Sequence, residues 1–329
     1  MSQNYYTGPA KAFFAAVGLQ ANGAQGQIKA DLIEKTSDAG TSQFGKIAET
    51  LDDQYAEVTL TPFDSYNLLP TLFPTYLGVT TGVGTGFGAG ALLIGTRPHT
   101  ASNVPLKLWT PDGRLYNFVR AAITGHPTLN LGNGQPLYSG IKFTCLGDIT
   151  KNPGDSAFLV AGNAITESGG SDPGGVFTMA DFVRGKWTGA WGTLAGFGGD
   201  GGSAMEAEDG WQLVPEIKYS ARTVQKVTRH MVLDSVAFMI KGRPVGPTQT
   251  QIAGALLAHA AGSRFGVGTN GADVVLTGPS SKTITLKQAE IKGAGFEFGG
   301  SKLGNGEIGF VSSMTFTTGA AQPLVVFSA

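Results

Sequence analysis

The sequence contains a single cysteine, Cys145, so no internal disulfide can form and a disulfide-stabilised framework is excluded. Cys145 continues an alternating apolar run through Ile141 and Phe143, which predicts a buried thiol rather than a nucleophile. Long apolar runs are also lacking, since none approaches the roughly 18 residues that a membrane-spanning helix requires. These absences predict a protein without membrane contact that stays in a reducing cytoplasm until it assembles.

An excess of one charge is lacking too. The chain has 23 Lys and Arg and 24 Asp and Glu, which gives a formal net charge of −1. Because binding to phosphates needs clustered Lys and Arg, this balance disfavours a protein that grips nucleic acid. It remains compatible with a neutral surface along which DNA passes without specific binding.

Residue patterns for catalysis or metal binding are missing as well. The histidines are scattered at His99, His126, His230 and His259. None of them has the spacing of a metal-ligand pair, and no G-x-S-x-G nucleophile elbow is present. Acidic neighbours occur at Asp52 and Asp53 and at Glu206, Glu208 and Asp209, in turn-like segments where carboxylates are usually solvated. The sequence predicts no catalytic residue, no cofactor and no metal site.

Glycine is abundant, with 50 residues, and only 14% of the residues are charged. Together with many Thr, Val and Phe residues, this composition predicts a mainly β protein with many turns. Gly266–Gly271 matches the dinucleotide-binding pattern G-x-G-x-x-G, but Asp273–Thr277 after it reads as a strand. A phosphate loop requires a helix there, so a plain loop is the favoured interpretation.

One arrangement of residues occurs twice. Ala122–Gly125 is followed by an Asn-Gly pair and an alternating strand through Phe143, and Glu290–Gly293 is followed by another Asn-Gly pair and a strand through Phe316. Asn and Gly tolerate the positive φ of a tight turn, so each pair predicts a hairpin. The predicted turns are Gly132, Asn133 and Gly134 in the first copy and Gly304, Asn305 and Gly306 in the second.

The spacing shows how far this repeat extends. The offset from Gly125 to Gly293 is 168, and 168 also separates Ala161 from Ala329 at the ends of two further apolar runs, 157–161 and 325–329. Upstream, Tyr55–Leu60 matches Asp234–Met239 as a strand. The sequence therefore predicts two tandem copies: residues 1–167 with an N-terminal arm of about 25 residues, a glycine-rich linker at 168–175, and residues 176–329.

Each copy contains one segment with helical periodicity. In the first copy it spans Phe63–Leu77, with Asp64 or Ser65 as N-cap, and its two prolines predict a short or broken helix. In the second copy Thr248 and Gln251 have the spacing of a capping box. We therefore expect one amphipathic helix packed on a sheet in each copy.

The second copy resembles the tail tube proteins of tailed bacteriophages. The resemblance rests on Gly189-Ala-Trp-Gly192, on Asp209-Gly-Trp-Gln-Leu213, and on the stretch from Arg222-Thr-Val-Gln225 to Arg243-Pro-Val-Gly-Pro-Thr248. It covers roughly residues 187 to 257. The first copy has Thr61-Pro-Phe-Asp64 in place of the Pro-Val-Gly-Pro-Thr motif, so its membership rests on the internal repeat.

The resemblance implies a β-sandwich or barrel-like module with one flanking α-helix, present in two copies. Such modules stand side by side in rings, and the rings stack into a hollow tail tube through which DNA passes. If a ring needs six modules, three chains suffice; a hexamer with one module of each chain on the outside is the competing arrangement. The implied partners are the chain itself and other tail proteins, and the implied location is the virion tail, after the host cytoplasm.

Two other classes of function remain open. An exported or surface β-rich adhesin or fimbrial subunit would also be repetitive and glycine-rich. The sequence shows no signal-peptide pattern and cannot form an internal disulfide, and both features disfavour export. The second of these classes is an enzyme with a site between subunits, and a ligand-dependent shift in melting temperature would favour it.

The glycine-rich segment of the first copy is the predicted assembly loop, with glycines at Gly82, Gly84, Gly86, Gly88 and Gly90. A loop of this kind can become ordered between subunits. Deletion of residues 83–89 is expected to leave a folded, soluble protein that no longer stacks, which circular dichroism and electron microscopy would measure. Normal tubes from the deletion variant would contradict this role.

Overall fold

A computed structural model describes a mainly β protein, as the composition predicts. The described residues are 11–19, 29–32, 55–81, 94–99, 104–110, 113–132, 135–147, 165–169, 185–192, 197–198, 204–224, 227–245, 247, 251, 272–296, 305–312, 316–317, 320–321 and 323–328. Within them, no helix is long and apolar enough to cross a membrane.

The described part of the N-terminal half contributes eleven strands. They are β1 (Lys11–Phe14), β2 (Val17–Gly18), β3 (Lys29–Leu32), β4 (Ala56–Leu60), β5 (Val79–Thr81), β6 (Leu106–Trp109), β7 (Arg114–Phe118), β8 (Arg120–Gly125), β9 (Leu129–Leu131), β10 (Ile141–Leu146) and β11 (Ile165–Gly169). In β4 the side chains of Ala56, Val58 and Leu60 are buried and that of Thr59 is exposed, which is the alternation expected of a strand with one face on the core.

The C-terminal half contributes eleven more strands in its described residues. They are β12 (Thr188–Trp191), β13 (Met205–Ala207), β14 (Trp211–Val224), β15 (Val227–Gly242), β16 (Pro244–Val245), β17 (Ala272–Thr277), β18 (Thr283–Phe296), β19 (Asn305–Ser312), β20 (Phe316–Thr317), β21 (Ala320–Ala321) and β22 (Val325–Ser328). A 3-10 turn at Pro279–Ser281 connects β17 to β18.

Helical structure between β4 and β5 is short, as its prolines predict. A 3-10 turn at Tyr66–Leu68 leads into α1 (Leu69–Leu72). Pro70 lies in the first turn of α1, where its missing N–H costs little, whereas Pro74 follows the end of α1 and cannot continue it. Ser65 occupies the N-cap position, but its hydroxyl makes no capping hydrogen bond. Of the helix predicted in the second copy, only Gln251 is described, and it is helical.

The sheets of the two halves have the same strand order. In the first half one sheet runs β2-β1-β6-β7-β11 and another runs β3-β4-β10-β8. In the second half β13-β12-β17-β18 is followed by β19-β15-β14, and β22 also pairs with β18. Thus β1-β6-β7-β11 corresponds to β12-β17-β18-β22, and β3-β4-β10-β8 corresponds to β14-β15-β19-β18. The difference is that the continuous β18 takes the place of β7 and β8.

The strand register is also the same in both halves. Leu106 pairs with Phe118, and 168 positions later Val274 pairs with Leu286. β10 pairs with β8 across a bulge between the partners Gly125 and Ile123, and β19 pairs with β18 across a bulge between Gly293 and Ile291. Bulges are conserved within protein families. A bulge at the same register is therefore a more specific similarity between the halves than strand pairing alone.

The register corrects the sequence alignment of the two predicted copies. Phe143 pairs with Ile123, and Phe310 pairs with Ile291, so Phe310 rather than Phe316 is the counterpart of Phe143. The difference is six residues, from 310 to 316. Because an even shift keeps every side chain on the same face, the alternating pattern could not distinguish the two alignments.

Strand pairing also corrects the alignment at the C-terminal ends of the two predicted copies. β11 pairs with β7 in the way that β22 pairs with β18, which makes Ile165–Ser168 the counterpart of Val325–Ser328. The predicted counterpart was the run at 157–161, which lies outside the described residues. A short apolar run can be matched by composition in several places, whereas strand pairing specifies one.

One hydrophobic cluster contains residues from both halves. Phe73 lies 6.2 Å from Phe238 and 5.7 Å from Phe327, measured between ring centroids. Within the second half, Trp191 packs edge-on against Phe310 at 5.1 Å, and its indole N–H donates a hydrogen bond to the Ala289 carbonyl. The core thus links the halves as well as stabilising each of them.

Phe143 and Phe310 provide a matched pair for testing this shared core, because both are fully buried. Truncation of either to alanine is expected to destabilise the protein by about 3–5 kcal/mol. Because the cluster spans both halves, each variant should shift one common unfolding transition in urea, followed by tryptophan fluorescence and circular dichroism. The exposed Thr59→Ala is the control and should change stability by less than about 0.5 kcal/mol. Two separate transitions, of which each variant shifts only one, would contradict the shared core.

Candidate functional site: the junction between the halves

Strand β5 of the first half lies beside β22 of the second half. Their pairing is parallel, with Val79 opposite Val325 and Thr81 opposite Phe327. The Gly78 carbonyl accepts a hydrogen bond of 2.6 Å from the Leu324 N–H. Since β22 also pairs with β18, both of its backbone edges are covered. The first half therefore completes a sheet that belongs to the second.

A second strand of the first half is also added to a strand of the second half, in this case antiparallel. β9 of the first half pairs with the start of β14, with Leu131 opposite Trp211 and Leu129 opposite Leu213. Next to this pair, Gly132 and Gly210 are in close backbone contact: a Cβ on Gly210 would lie 2.6 Å from the Gly132 Cα. Gly210 also has a φ of +85°, so glycine is required there for two reasons.

Tyr66, in the 3-10 turn before α1, binds the second half through its hydroxyl group. Its hydroxyl lies 2.9 Å from the Thr283 carbonyl oxygen and 3.0 Å from that of Ser328, and it donates its single proton to one or the other. These two carbonyls belong to β18 and β22 at their point of pairing. Burial raises the pKa of Tyr66 well above its usual value, so the hydroxyl keeps its proton at neutral pH.

His126 connects three elements across the junction. Its Nδ1 lies 2.7 Å from the Leu72 carbonyl oxygen and its Nε2 lies 2.8 Å from the Tyr219 hydroxyl. Because a carbonyl only accepts, Nδ1 carries the proton and donates it, and Nε2 accepts the hydroxyl proton of Tyr219. The imidazole is stacked between Phe73 and Tyr219, at 5.8 and 5.9 Å.

Burial favours a neutral imidazole at His126. It lowers the pKa of His126 to about 4, against the opposing effect of the hydrogen bond to the Leu72 carbonyl. Protonation of Nε2 would reverse the hydrogen bond with Tyr219, whose hydroxyl would then accept, and would place a charge in a desolvated site between two aromatic rings. This contact is therefore more favourable at neutral pH than in acid.

Arg120 forms a third polar contact between the halves. It is buried, donates from Nη1 to the Gly147 carbonyl at 3.4 Å, and donates from Nη2 to Nδ1 of His230 on β15 at 3.1 Å. Since arginine is only a donor, His230 accepts through Nδ1. Burial, followed by the charges of Arg120, Arg97 and Arg229, lowers the pKa of His230.

His99 lies in the same region. Its Nε2 donates a hydrogen bond of 2.9 Å to the Thr144 carbonyl of β10. Burial lowers its pKa to about 4, and the positive charges of Arg120 and His230 act in the same direction. The arrangement holds neutral imidazoles in place through hydrogen bonds, which is a structural use of histidine.

The predicted turn glycines lie in different places. Gly132 is at the contact with Gly210 described above, while Asn133, Gly134 and Gly304 lie outside the described residues. Asn305 pairs with Phe296 and, like Gly306, belongs to β19 rather than to a turn. The connection of this hairpin falls within 297–304, outside the described residues. The predicted assembly loop also lies outside them, at Gly82, Gly84, Gly86, Gly88 and Gly90.

Of the acidic residues weighed in the sequence, Asp52 and Asp53 lie outside the described residues, and the other three are at the surface. Glu206, Glu208 and Asp209 are exposed, and Glu206 forms an ion pair with Lys186. They line an open cavity of about 450 Å³ that also contains Gly132. Among the described residues, no group of three or more His, Cys, Asp and Glu side chains is arranged to hold a metal ion. Cys145 is buried in β10, and burial raises the pKa of its thiol.

The residues after Gly271 form strand β17, as the sequence predicts for a segment that is not a phosphate loop. Sequence reasoning did not identify Tyr66, His126 or Tyr219, because each acts across the junction on a residue distant in the chain. One indication was available for His126. It directly follows Gly125 of the repeat, whereas Ala294 follows Gly293, so the second half has no counterpart of this histidine.

Comparison with protein-family models finds none that matches this chain, and comparison with curated proteins finds no significant match. The residues and their geometry are therefore what indicates a function.

A buried histidine, His99, and a partly buried one, His126, make the stability of the protein depend on pH. The pKa values of His99 and His126 fall from 6.5 in the unfolded chain to about 4 in the folded one. Below pH 6.5 the unfolded chain binds protons that the folded protein does not, so stability is full above pH 6.5 and declines as the pH falls towards 4. Each unit of pKa difference corresponds to about 1.4 kcal/mol at most.

The measurement is the free energy of unfolding in urea at pH 7.5 and at pH 5. We expect a lower value at pH 5, and a smaller pH dependence for His126→Gln, whose amide can donate to Leu72 and accept from Tyr219. Equal pH dependence of the wild type and this variant would contradict the assignment of a neutral His126 in the junction.

Proposed function

We propose that this protein is a virion structural protein that polymerises into stacked rings and forms the tail tube of a tailed bacteriophage. In this role it is not an enzyme and needs no cofactor. The observation that carries the proposal is the repeated strand arrangement, whose two occurrences are joined edge to edge within one chain.

The repeated arrangement supports two tandem copies of one module. Strand order, register and a bulge all recur, and the offset of 168 between Leu106 and Val274 equals that between Gly125 and Gly293. Independent evolution of one bulge at one register in two halves is a poor explanation of this likeness. The proposed modules are residues 1–167 and 176–329, connected by the glycine-rich linker at 168–175, whose first two residues, Ser168 and Gly169, belong to β11.

The way in which the modules are joined supports a ring. Among the described strands, the first module adds β5 and β9 to the second, and no strand of the second is added to the first in the same way, so the contact is heterologous. A heterologous contact between like modules, repeated from chain to chain, closes into a ring or continues as a helix. Rings that stack give a tube.

The side-by-side junction favours a trimeric ring of six modules over a hexamer with one module outside. In the trimer every module would have a like module on each side, as the two modules already have within the chain. The hexamer would instead require the junction within the chain to differ from the one between chains. A formal charge of −1 suits a conduit that DNA crosses without specific binding.

Negative-stain electron microscopy of the purified protein, over a range of concentrations and salt, tests the proposal. We expect hollow tubes of stacked rings with pseudo-sixfold symmetry, and native mass spectrometry of single rings should give three chains. Globular monomers that remain unchanged by concentration and salt would overturn the tail tube role.

A further inference from the structure

The two modules differ in what covers their outer strands. In the second module β22 lies between β18 and β5, and β14 lies between β15 and β9. Both covering strands, β5 and β9, come from the first module. The edges formed by β22 and β14 therefore face the same neighbour.

Strand β11 is the counterpart of β22. It pairs with β7 through Ile165 opposite Phe118 and Ser168 opposite Leu115, while β22 pairs with β18 through Val325 opposite Leu286 and Ser328 opposite Thr283. Phe118 and Leu286 are 168 positions apart, and so are Leu115 and Thr283. The two strands thus occupy the same place on equivalent neighbours.

The outer edge of β11 has no strand beside it in the described part of the chain, since β11 ends the order β11-β7-β6-β1-β2. The same holds for β3, the counterpart of β14, which ends the order β3-β4-β10-β8. The equivalence of the modules places these two edges on one side, as it does for β22 and β14. Among the described residues, the first module thus leaves without a neighbouring strand the same pair of edges that the second module has covered.

The sequence of β11 lacks the two residues that most often protect an edge. Edge strands of monomeric proteins commonly carry lysine or proline, which block pairing with another chain. Ile165–Gly169 contains neither, and its Ser168 and Gly169 are exposed. An accessible row of backbone N–H and C=O groups is a template for an added strand.

We infer that the β11 edge, with β3 beside it, is the surface on which a second copy of this chain docks through its C-terminal module. This inference rests on the proposed ring assembly and names the surface that joins one chain to the next. The added strand lies parallel to β11, as β5 lies parallel to β22. The partner is a second copy, because the same junction already exists between the two modules of one chain.

Hydrogen exchange followed by mass spectrometry tests the inference on the full chain. In the assembly, the exchange rate of peptides that contain 165–169 should be roughly tenfold lower, or more, than in the free chain. The reason is that backbone amides that point outward from β11 acquire hydrogen-bond partners. Peptides that contain 325–328 are the matched control and should be protected in both states, because β5 covers β22 within the chain. Equal exchange of 165–169 in free and assembled protein would overturn the inference.

Two adjacent proline variants, Thr166→Pro and Glu167→Pro, provide a second test. Neighbouring residues of a strand direct their N–H groups alternately to the two sides, so one proline removes an amide that points to β7 and the other removes one that points outward. The outward variant should keep the wild-type melting temperature and fail to assemble, while Ser168→Ala should assemble normally. If both proline variants keep the wild-type melting temperature and still assemble, the inference is overturned.

The outcomes separate this inference from the proposed function. Tubes whose β11 edge stays unprotected would retain the tail tube and overturn the docking surface. Discrete closed rings with a protected β11 edge, which never stack into tubes, would support the docking surface and overturn the tail tube.

Discussion

Backbone groups at the edge of a sheet need hydrogen-bonding partners, and the structure of this protein depends on how its edges obtain them. In the second half, β22 and β14 receive theirs from β5 and β9 of the first half. These added strands place Phe73 against Phe238 and Phe327, so the apolar cluster is continuous where the edges are closed. Edge pairing and core packing thus stabilise the same junction.

Polar side chains in this junction specify how the halves meet. Tyr66 reaches carbonyls at the pairing of β18 with β22, and His126 reaches Tyr219 on β14. A buried polar group without its partner is costly, so these contacts disfavour any other alignment of the halves. They also depend on protonation, because burial favours a neutral His126 and protonated tyrosines.

The two halves are alike in pairing but differ in the residues that serve the junction. Arg120 is the first residue of β8 and His126 directly follows β8; the residues 168 positions later are Gln288 and Ala294. Arg120 and His126 bind His230 and Tyr219 of the β14–β15 hairpin, respectively. The first half therefore carries a receiving surface for this hairpin of the second half.

Much of this architecture could be predicted from local sequence. Glycine content and alternating apolar residues predict a mainly β protein, and Pro70 and Pro74 predict a short helix before β5. The offset of 168 between Gly125 and Gly293 predicts a correspondence that the strand register repeats at Leu106 and Val274. These features are visible in sequence because they depend on residues close together in the chain or on a fixed spacing.

Only the tertiary structure decided the register and the junction. The side-chain period of a strand is two, so alternation alone fits Phe143 to Phe316 as well as to Phe310, and pairing with Ile123 and Ile291 selects Phe310. The partners of Tyr66 are more than 200 positions away in the chain. Contacts at that distance depend on how whole sheets pack. Local sequence determined which segments become strands, and the pairing of their edges determined which half completes the other.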